Sequence, residues 1–301
     1  MTVLVTGASG YLGRHVVCHL VDQGRAVVAL QRGKDGDFGD GVAVACADLR
    51  DKDALMQVFH SHEPEAVIHC AAAIPREITV TEEVRSEADN LDATRTLLAV
   101  AARHTTRRIV FASTISVYTG DADVHADVYT ESSVARPEGF YGRHKLAAEA
   151  MCDEWRAGCA GRSCVILRFA GLHGAPRKSG VVHAFIARAL EGEPISVSAP
   201  QSRYSLLNVD DAAVAALLAV DRPSGPSFRV FNVAGDEPCD LATLAAKVLT
   251  LCGSRSPIAP GDGEPRYAVM AIDAAREELG FAPTPLEVWL QREIDQFVVL
   301  Q

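Results

Sequence analysis

Met1-Thr2-Val3-Leu4-Val5-Thr6-Gly7-Ala8-Ser9-Gly10-Tyr11-Leu12-Gly13-Arg14-His15-Val16-Val17 opens the chain and decides its fold. Val3 to Val5 is a short apolar, β-branched run. Beyond the glycines, Leu12, Val16 and Leu20, with Val17 and Val21, recur at helical spacing over Tyr11 to Gln23. The turn between them holds Gly7, Gly10 and Gly13. Glycines at such a place permit a tight turn, a close backbone approach to a pyrophosphate and close helix-strand packing. The helix start adds free N–H groups and the positive end of its dipole. The stretch reads as a strand, a phosphate cradle and a helix; a ligand-free Gly-rich connector is the alternative.

Further out, the same alternation continues. Ala26 to Leu30, Val42 to Ala45, Ala66 to His69 and Arg108 to Ala112 are apolar runs of the kind buried on both faces of a parallel sheet. Helical stretches separate several of them, Ala54 to His60 and Glu82 to His104 among them. Strands alternating with helices imply βαβ units with right-handed crossovers. The expected fold is α/β, a Rossmann-type doubly wound parallel sheet with a smaller C-terminal α/β substrate-binding portion. After about Ser163 the pattern loosens. Strands are expected at Cys164 to Phe169, Ser205 to Asn208 and Phe228 to Val233, helices at Val181 to Leu190, Asp210 to Val220, Leu241 to Leu251 and Pro285 to Phe297. Gly192 to Ser198 reads as a Pro-containing stretch and Ser254 to Pro265 as a loop. Residues 1–163 are expected to form the cofactor domain and 164–301 mainly the substrate portion, with segments near 164–170 and 205–235 returning to the first sheet.

A length of 301 residues, 48% hydrophobic and 23% charged, is ordinary for a globular chain and sets aside disordered and disulfide-scaffold classes. The net charge of −10 argues against nucleic acid, whose binders need a basic footprint, but leaves room for an anionic small ligand on local N–H groups. The eight cysteines form no C-x-x-C pair and read as small core residues. No metal is expected, since the one close histidine pair, His60 and His62, lacks partners at ligand spacing. No run approaches the roughly 18 to 20 apolar residues of a membrane span, and a cytoplasmic location is expected.

The spacing Gly-x-x-Gly-x-x-Gly, preceded by Thr6, resembles that of the extended short-chain dehydrogenases/reductases, the NAD(P)-dependent epimerase/dehydratase family. Further segments follow in that family's order: Asp48-Leu49, His69-Cys70-Ala71-Ala72, Asn90 opening a long helix, Phe111 to Tyr118, Tyr141 to Lys145, Leu167 to Gly174, Asn208 to Asp211 and Phe231 to Gly235. The resemblance spans nearly the whole chain. It implies cofactor contacts from Gly7, Ser9, Gly10, Tyr11, Leu12, Gly13, Gln31, Arg32, Asp48, Leu49, Cys70, Ala71, Ala72, Asn90, Tyr141 and Lys145, with the Asp48 carboxylate at the adenine. It also implies a homodimer through the helices holding Asn90 to His104 and Tyr141 to Trp155, whose Leu97, Leu98, Leu146 and Met151 could equally pack on the sheet.

Where NAD-specific relatives carry an acid at the end of the second strand, this chain has Gln31, then Arg32, with Lys34 nearby. A carboxylate repels a 2′-phosphate and a guanidinium clamps it, so NADP is favoured over NAD, the alternative being an exposed loop cation. Tyr141 and Lys145, four apart, share one helix face. An ammonium close to a phenol stabilises the phenolate and draws its pKa toward the working range, fitting Tyr141 to exchange protons with a hydroxyl or carbonyl. Thr114 aligns with the residue that hydrogen-bonds the reacting oxygen in the family. Dehydratases of the family place Asp-Glu after this threonine; Ile115 and Ser116 stand here, which disfavours dehydration. Epimerases present Asn where Gly171 and Gly180 stand. Arg203 matches one phosphate-gripping arginine, Arg266 lies near the place of another, and Arg177 and Lys178 could supply further grip. Substrate contacts are thus expected from Thr114, Ser116, Gly171, Arg177 and Arg203. The leading expectation is an NAD(P)-dependent oxidoreductase or epimerase acting on a hydroxyl or keto carbon of a sugar, in the form of a nucleotide sugar. The alternatives are an NADPH-dependent reductase of a non-nucleotide carbonyl and a non-catalytic NADP-sensing module.

Overall fold

The β-branched runs pair into one parallel sheet. In chain order the first half comprises β1 (Thr2–Thr6), α1 (Tyr11–Asp22), β2 (Ala26–Gln31), β3 (Ala43–Cys46), α2 (Lys52–His62), β4 (Ala66–His69), α3 (Val80–Glu87), α4 (Ala93–Ala101), β5 (Arg108–Thr114), α5 (Phe140–Ala157) and β6 (Ser163–Phe169). The second half adds β7 (Gly171–His173), α6 (Val181–Glu191), β8 (Ile195–Val197), β9 (Arg203–Tyr204), β10 (Leu206–Asn208), α7 (Val209–Asp221), β11 (Phe228–Val233) and β12 (Cys239–Asp240). It ends with α8 (Leu241–Cys252), β13 (Ile258–Pro260), β14 (Tyr267–Ala268), α9 (Asp273–Leu279) and α10 (Leu286–Val299). This computed structural model describes residues 1–33, 36–75, 77–118, 128–223 and 227–299. Lys34, named above beside Arg32, lies outside them.

The seven-stranded sheet has the order β11-β6-β5-β4-β1-β2-β3, every pair parallel. The chain winds outward from β1 to β3, then crosses back to β4 and winds the other way. The strand order reverses between β1 and β4, so the loops at their carboxyl ends diverge and leave a crevice where such folds bind ligands. Alternate residues supply the two faces. Val3 and Val5 point into a core with Val16, Leu20, Ala212, Ala216 and Phe281, from the side of α1 and α7. Leu4 and Leu30 point into the other, with Phe59, Leu97, Phe111 and Trp155, from the side of α2, α4 and α5. A third core, built from Phe185, Ile186, Leu244, Val248, Trp289 and Leu290, joins α6, α8 and α10 over β8.

Three expectations are corrected. The helix expected over Glu82 to His104, with Asn90 at a start, begins at Val80. It passes through a π-helical turn at Ala88–Asp92, which places Asn90 mid-helix and turned inward. Within Gly192 to Ser198, β8 forms; within the expected loop Ser254 to Pro265, β13 forms and pairs with it in parallel. Three residues are too short for a period-2 signal, so only the partner reveals them. Leu97 and Leu98 are buried against the sheet and Leu146 and Met151 pack on its two cores, so these side chains are not an apolar surface.

Candidate active site

At the crevice, β1 ends in a turn whose shape only glycine satisfies. Gly7 has φ +63°, and a Cβ there would stand 2.7 Å from the Ala71 Cα; a Cβ on Gly13 would stand 2.1 Å from the Gly7 carbonyl oxygen. The N-terminus of α1 has no side-chain cap and no acidic side chain in its first turn. Its N–H groups and dipole therefore face the cleft uncompensated.

The opposite wall is pinned by a buried chain of hydrogen bonds. Thr6 Oγ1 donates to His69 Nδ1 at 2.6 Å, His69 Nε2 donates to Thr94 Oγ1 at 2.9 Å, and the Thr94 hydroxyl donates to the Asn90 carbonyl at 2.6 Å. Burial, with the Lys145 charge nearby, pushes His69 down to about 3, so the imidazole stays neutral and one nitrogen can accept. Asn90 then clasps the loop after β4: Ala73 N–H donates to its Oδ1 at 2.8 Å and its Nδ2 donates to the Ala73 carbonyl at 2.9 Å. Asn90 does not itself line the cleft; it holds Cys70 to Ile74, which do.

The cleft has a volume of about 470 Å³ and runs along the carboxyl ends of the strands. Fifteen of the sixteen residues expected at a cofactor line it, from the Gly7–Gly13 turn through Gln31, Arg32, Asp48, Leu49 and Cys70 to Tyr141 and Lys145. At one end Gln31 is 3% exposed, and neither polar atom of its amide has a hydrogen-bond partner. A buried amide left so costs about 1–3 kcal/mol unless a ligand completes it. Asp48 is gripped by Arg50, a residue that sequence reasoning passed over although its spacing, two beyond Asp48, could have flagged it. Arg50 Nε and Nη2 donate to the carboxylate at 3.0 and 2.6 Å, and this hydrogen bonding holds the Asp48 carboxyl down at about 2. Arg32 and Arg50 each reach Asp89 at 3.5 Å, so two guanidiniums converge on this end of the cleft.

At the other end stand Thr114, which closes β5, and Tyr141 and Lys145 on the first turns of α5. Lys145 is 2% exposed; its Nζ donates to the Ala112 carbonyl at 2.8 Å and lies 4.6 Å from the Phe111 ring centroid. Burial pulls it down to about 8, against raising contributions from Cys70, Cys152 and Glu149. The expected lowering of Tyr141 is not what this geometry gives. Burial pushes the phenol up to about 12, and the Lys145 ammonium donates to the Ala112 carbonyl.

Of the residues expected at a substrate, Thr114, Gly171 and Arg177 line the cleft, while Ser116 and Arg203 do not. Ser116 sits in the turn after β5, where its N–H donates to Thr114 Oγ1 at 3.2 Å and its Oγ accepts from that hydroxyl. Arg203 is exposed on β9 in a separate small sheet, so the structure does not bring it to the others. Arg177 is tethered by the Leu172 carbonyl and Ser179 Oγ, both at 3.0 Å, with its guanidinium 5.8 Å from the Tyr11 ring.

The fold and this cleft define a dinucleotide-dependent enzyme on a doubly wound parallel sheet. The chain belongs to the NAD dependent epimerase/dehydratase family, whose sequence profile matches residues 3–234. It is 29% identical to a UDP-glucose 4-epimerase of Streptomyces lividans, over 93% of this chain and 91% of that one. It is 34% identical to the UDP-glucose 4-epimerase of Halalkalibacterium halodurans, over 58% of this chain and 52% of the relative. Among solved structures, the Thermotoga maritima UDP-glucose 4-epimerase with UDP-glucose superposes with a TM-score of 0.87 at 25% identity, covering all of both chains. The Thermus thermophilus UDP-glucose 4-epimerase with NAD superposes with a TM-score of 0.84 at 26% identity, covering 99% of each.

Proposed function

We propose that this enzyme inverts a hydroxyl-bearing carbon of a nucleotide sugar, a UDP-hexose first among them, with Tyr141 as its acid and base. One observation carries the reading: Thr114, Tyr141 and Lys145 open onto the same cleft as the Gly7–Gly13 turn. The cradle fits a dinucleotide, given its uncapped helix start, its missing Cβ atoms and the partnerless Gln31 amide. When bound, the dinucleotide would supply reversible hydride exchange with a substrate carbon. Tyr141 moves the proton at the adjacent sugar oxygen, Thr114 hydrogen-bonds that oxygen, and Lys145 supplies fixed positive charge in a water-poor site. Ile115 and Ser116 offer no carboxyl group for dehydration. Arg177, which lines the cleft, would meet a diphosphate.

The finer parts of the reading rest on separate features. NADP is favoured over NAD by the neutral Gln31 and by Arg32 and Arg50, which can share a 2′-phosphate. Residues 1–163, with 164–170 and 205–235, hold the cofactor, and the rest of 164–301 covers the substrate. A homodimer through α4 and α5 is proposed, extended to α3, where Val80 and Val84 are exposed. Eight free cysteines suit a reducing compartment such as the cytoplasm. The test is incubation with cofactor and UDP-glucose followed by NMR of the sugar anomeric protons. Appearance of a C4-inverted product without net cofactor consumption supports the reading; net NADPH consumption on simple carbonyls with no inversion overturns it.

A further inference from the structure

From the cleft wall at Ser113, one residue before Thr114, a row of polar side chains runs across the sheet. Ser113 on β5, Arg168 on β6 and Asn232 on β11 stand in register across three neighbouring strands. All three are buried, at 5%, 7% and 0% exposure. Side chains in register on parallel strands project to the same face, so the row is continuous. The carboxylate of Glu149, 4% exposed and one helical turn beyond Lys145 on α5, descends onto it. Arg168 donates to Glu149 Oε1 through Nε at 3.0 Å and to Oε2 through Nη2 at 2.6 Å, and the Ser113 hydroxyl donates to Oε1. Arg168 Nη1 donates to the Tyr118 hydroxyl at 2.8 Å, and that hydroxyl donates to Asn232 Oδ1 at 2.8 Å. Asn232 Nδ2 in turn donates to the Tyr129 carbonyl at 3.1 Å, and the Asn232 N–H to Glu131 Oε1 at 2.8 Å.

A buried ion pair in a core is weak evidence for stability, since apolar replacements of equal volume do as well. Its placement suggests another purpose. Helix α5 grips the end of β5 twice, through Lys145 at the Ala112 carbonyl and through Glu149 at Ser113, the two residues before Thr114. Facing the Lys145 ammonium are His69 and Cys70 from the end of β4, Phe111 and Ala112 from β5, and Cys152 and Glu149 from α5. Glu149 is the one carboxylate in that set. We propose that Glu149 and Arg168 are positioning residues for the proton-transfer site: the carboxylate fixes α5 against the end of β5 and supplies the countercharge for Lys145, and Arg168 holds it there. The kinetic part of this inference rests on the proposed role of Tyr141 and Lys145; the electrostatic part does not.

The test reads Lys145 directly. The chain has five lysines, Lys34, Lys52, Lys145, Lys178 and Lys247, so 13Cε-labelled protein gives a short spectrum in which Lys145→Met identifies the buried signal. In Glu149→Gln the titration midpoint of Lys145 falls by about one pH unit, the size expected for removing one charge a helical turn away in a poorly solvated site. Its kcat falls most above pH 8, by up to about tenfold, and converges on the wild type below pH 7, with KM within twofold of the wild type throughout. If Glu149→Gln does not fold, the paired variant Glu149→Leu with Arg168→Met keeps the packing and lowers the Lys145 midpoint by less than one unit, because a cation leaves with the anion. An unmoved Lys145 midpoint in a folded variant overturns the proposal. A displaced midpoint in a protein that turns over no nucleotide sugar leaves the positioning intact and removes the substrate reading alone.

Discussion

Replacing Gly13 by alanine tests the phosphate turn at the point where helix and strand come closest. The new methyl would sit 2.1 Å from the Gly7 carbonyl oxygen, 2.8 Å from the Gly7 carbonyl carbon and 3.0 Å from the Ala8 Cα, all backbone atoms that cannot rotate away. Ordinary contact begins near 3.4 Å, so α1 must retreat by roughly 1 Å from a strand end that is wholly buried. Overpacking of that size costs about 1–3 kcal/mol, or a Tm fall of roughly 2–5 °C in a chain this long. Retreat also withdraws the helix N-terminus from the pyrophosphate, and losing two of its N–H contacts at about 1.5 kcal/mol each weakens cofactor binding by roughly 100-fold. The assay is thermal unfolding with and without NAD or NADP, where stabilisation grows as the logarithm of ligand concentration over Kd. Gly158→Ala is the control: its Cβ meets nothing closer than 3.5 Å and its φ of −68° suits alanine, so Tm holds or rises slightly. A Gly13→Ala protein with wild-type Tm and an undiminished cofactor shift would refute the reasoning.

Other outcomes follow from the same geometry. Arg168→Met alone leaves Glu149 buried without its partner and destabilises by about 3–5 kcal/mol, while Arg168→Met with Glu149→Leu recovers most of the loss; denaturant melts of the two separate them. Arg32→Ala weakens NADP binding by at least fivefold and NAD binding less, read by fluorescence titration; equal weakening sinks the 2′-phosphate assignment. Lys145 sits at about 8 in the fold against an ordinary 10.5, so between those pH values the unfolded chain holds more protons and stability rises with pH. The gap in unfolding free energy between the wild type and Lys145→Met therefore moves in favour of the wild type by about 3 kcal/mol across that window, in urea melts at pH 8 and 10.5. Asp51 caps α2 by accepting from the Asp53 and Ala54 N–H groups, so Asp51→Ala costs about 1 kcal/mol in the same melts.

The glycine turn was legible because its glycines stand between a strand and a helix, a local context that the chain itself writes. The doubly wound sheet was legible for the same reason, from β-branched runs spaced by helical periods. What escaped was whatever depends on a partner distant in sequence. The strands β8 and β13 are three residues each and exist through one another. Asn90 was found, but its work as a clasp on Ala73 follows from a π-helical turn that no composition announces. Arg50 and Asp89 enter the cofactor end through cross-loop ion pairs. Arg203 fitted a family position in the sequence, yet its strand belongs to a sheet away from the cleft. The spacing of Tyr141 and Lys145 fixes a shared helix face and not the direction of an ammonium group, and burial pushes the phenol up to about 12. The Ala112 carbonyl takes that ammonium instead.

The central claim is that Tyr141 moves the proton when a sugar carbon is inverted in this cleft. It is met most directly by the rate of C4 inversion of UDP-glucose, read by proton NMR, in the wild type and in Tyr141→Phe, which keeps the ring and removes the hydroxyl. The account predicts inversion by the wild type and a loss of about 10²–10⁴-fold in the variant with cofactor binding unchanged. A Tyr141→Phe enzyme that inverts the sugar at the wild-type rate, or a wild type saturated with cofactor that inverts no nucleotide sugar, would contradict it.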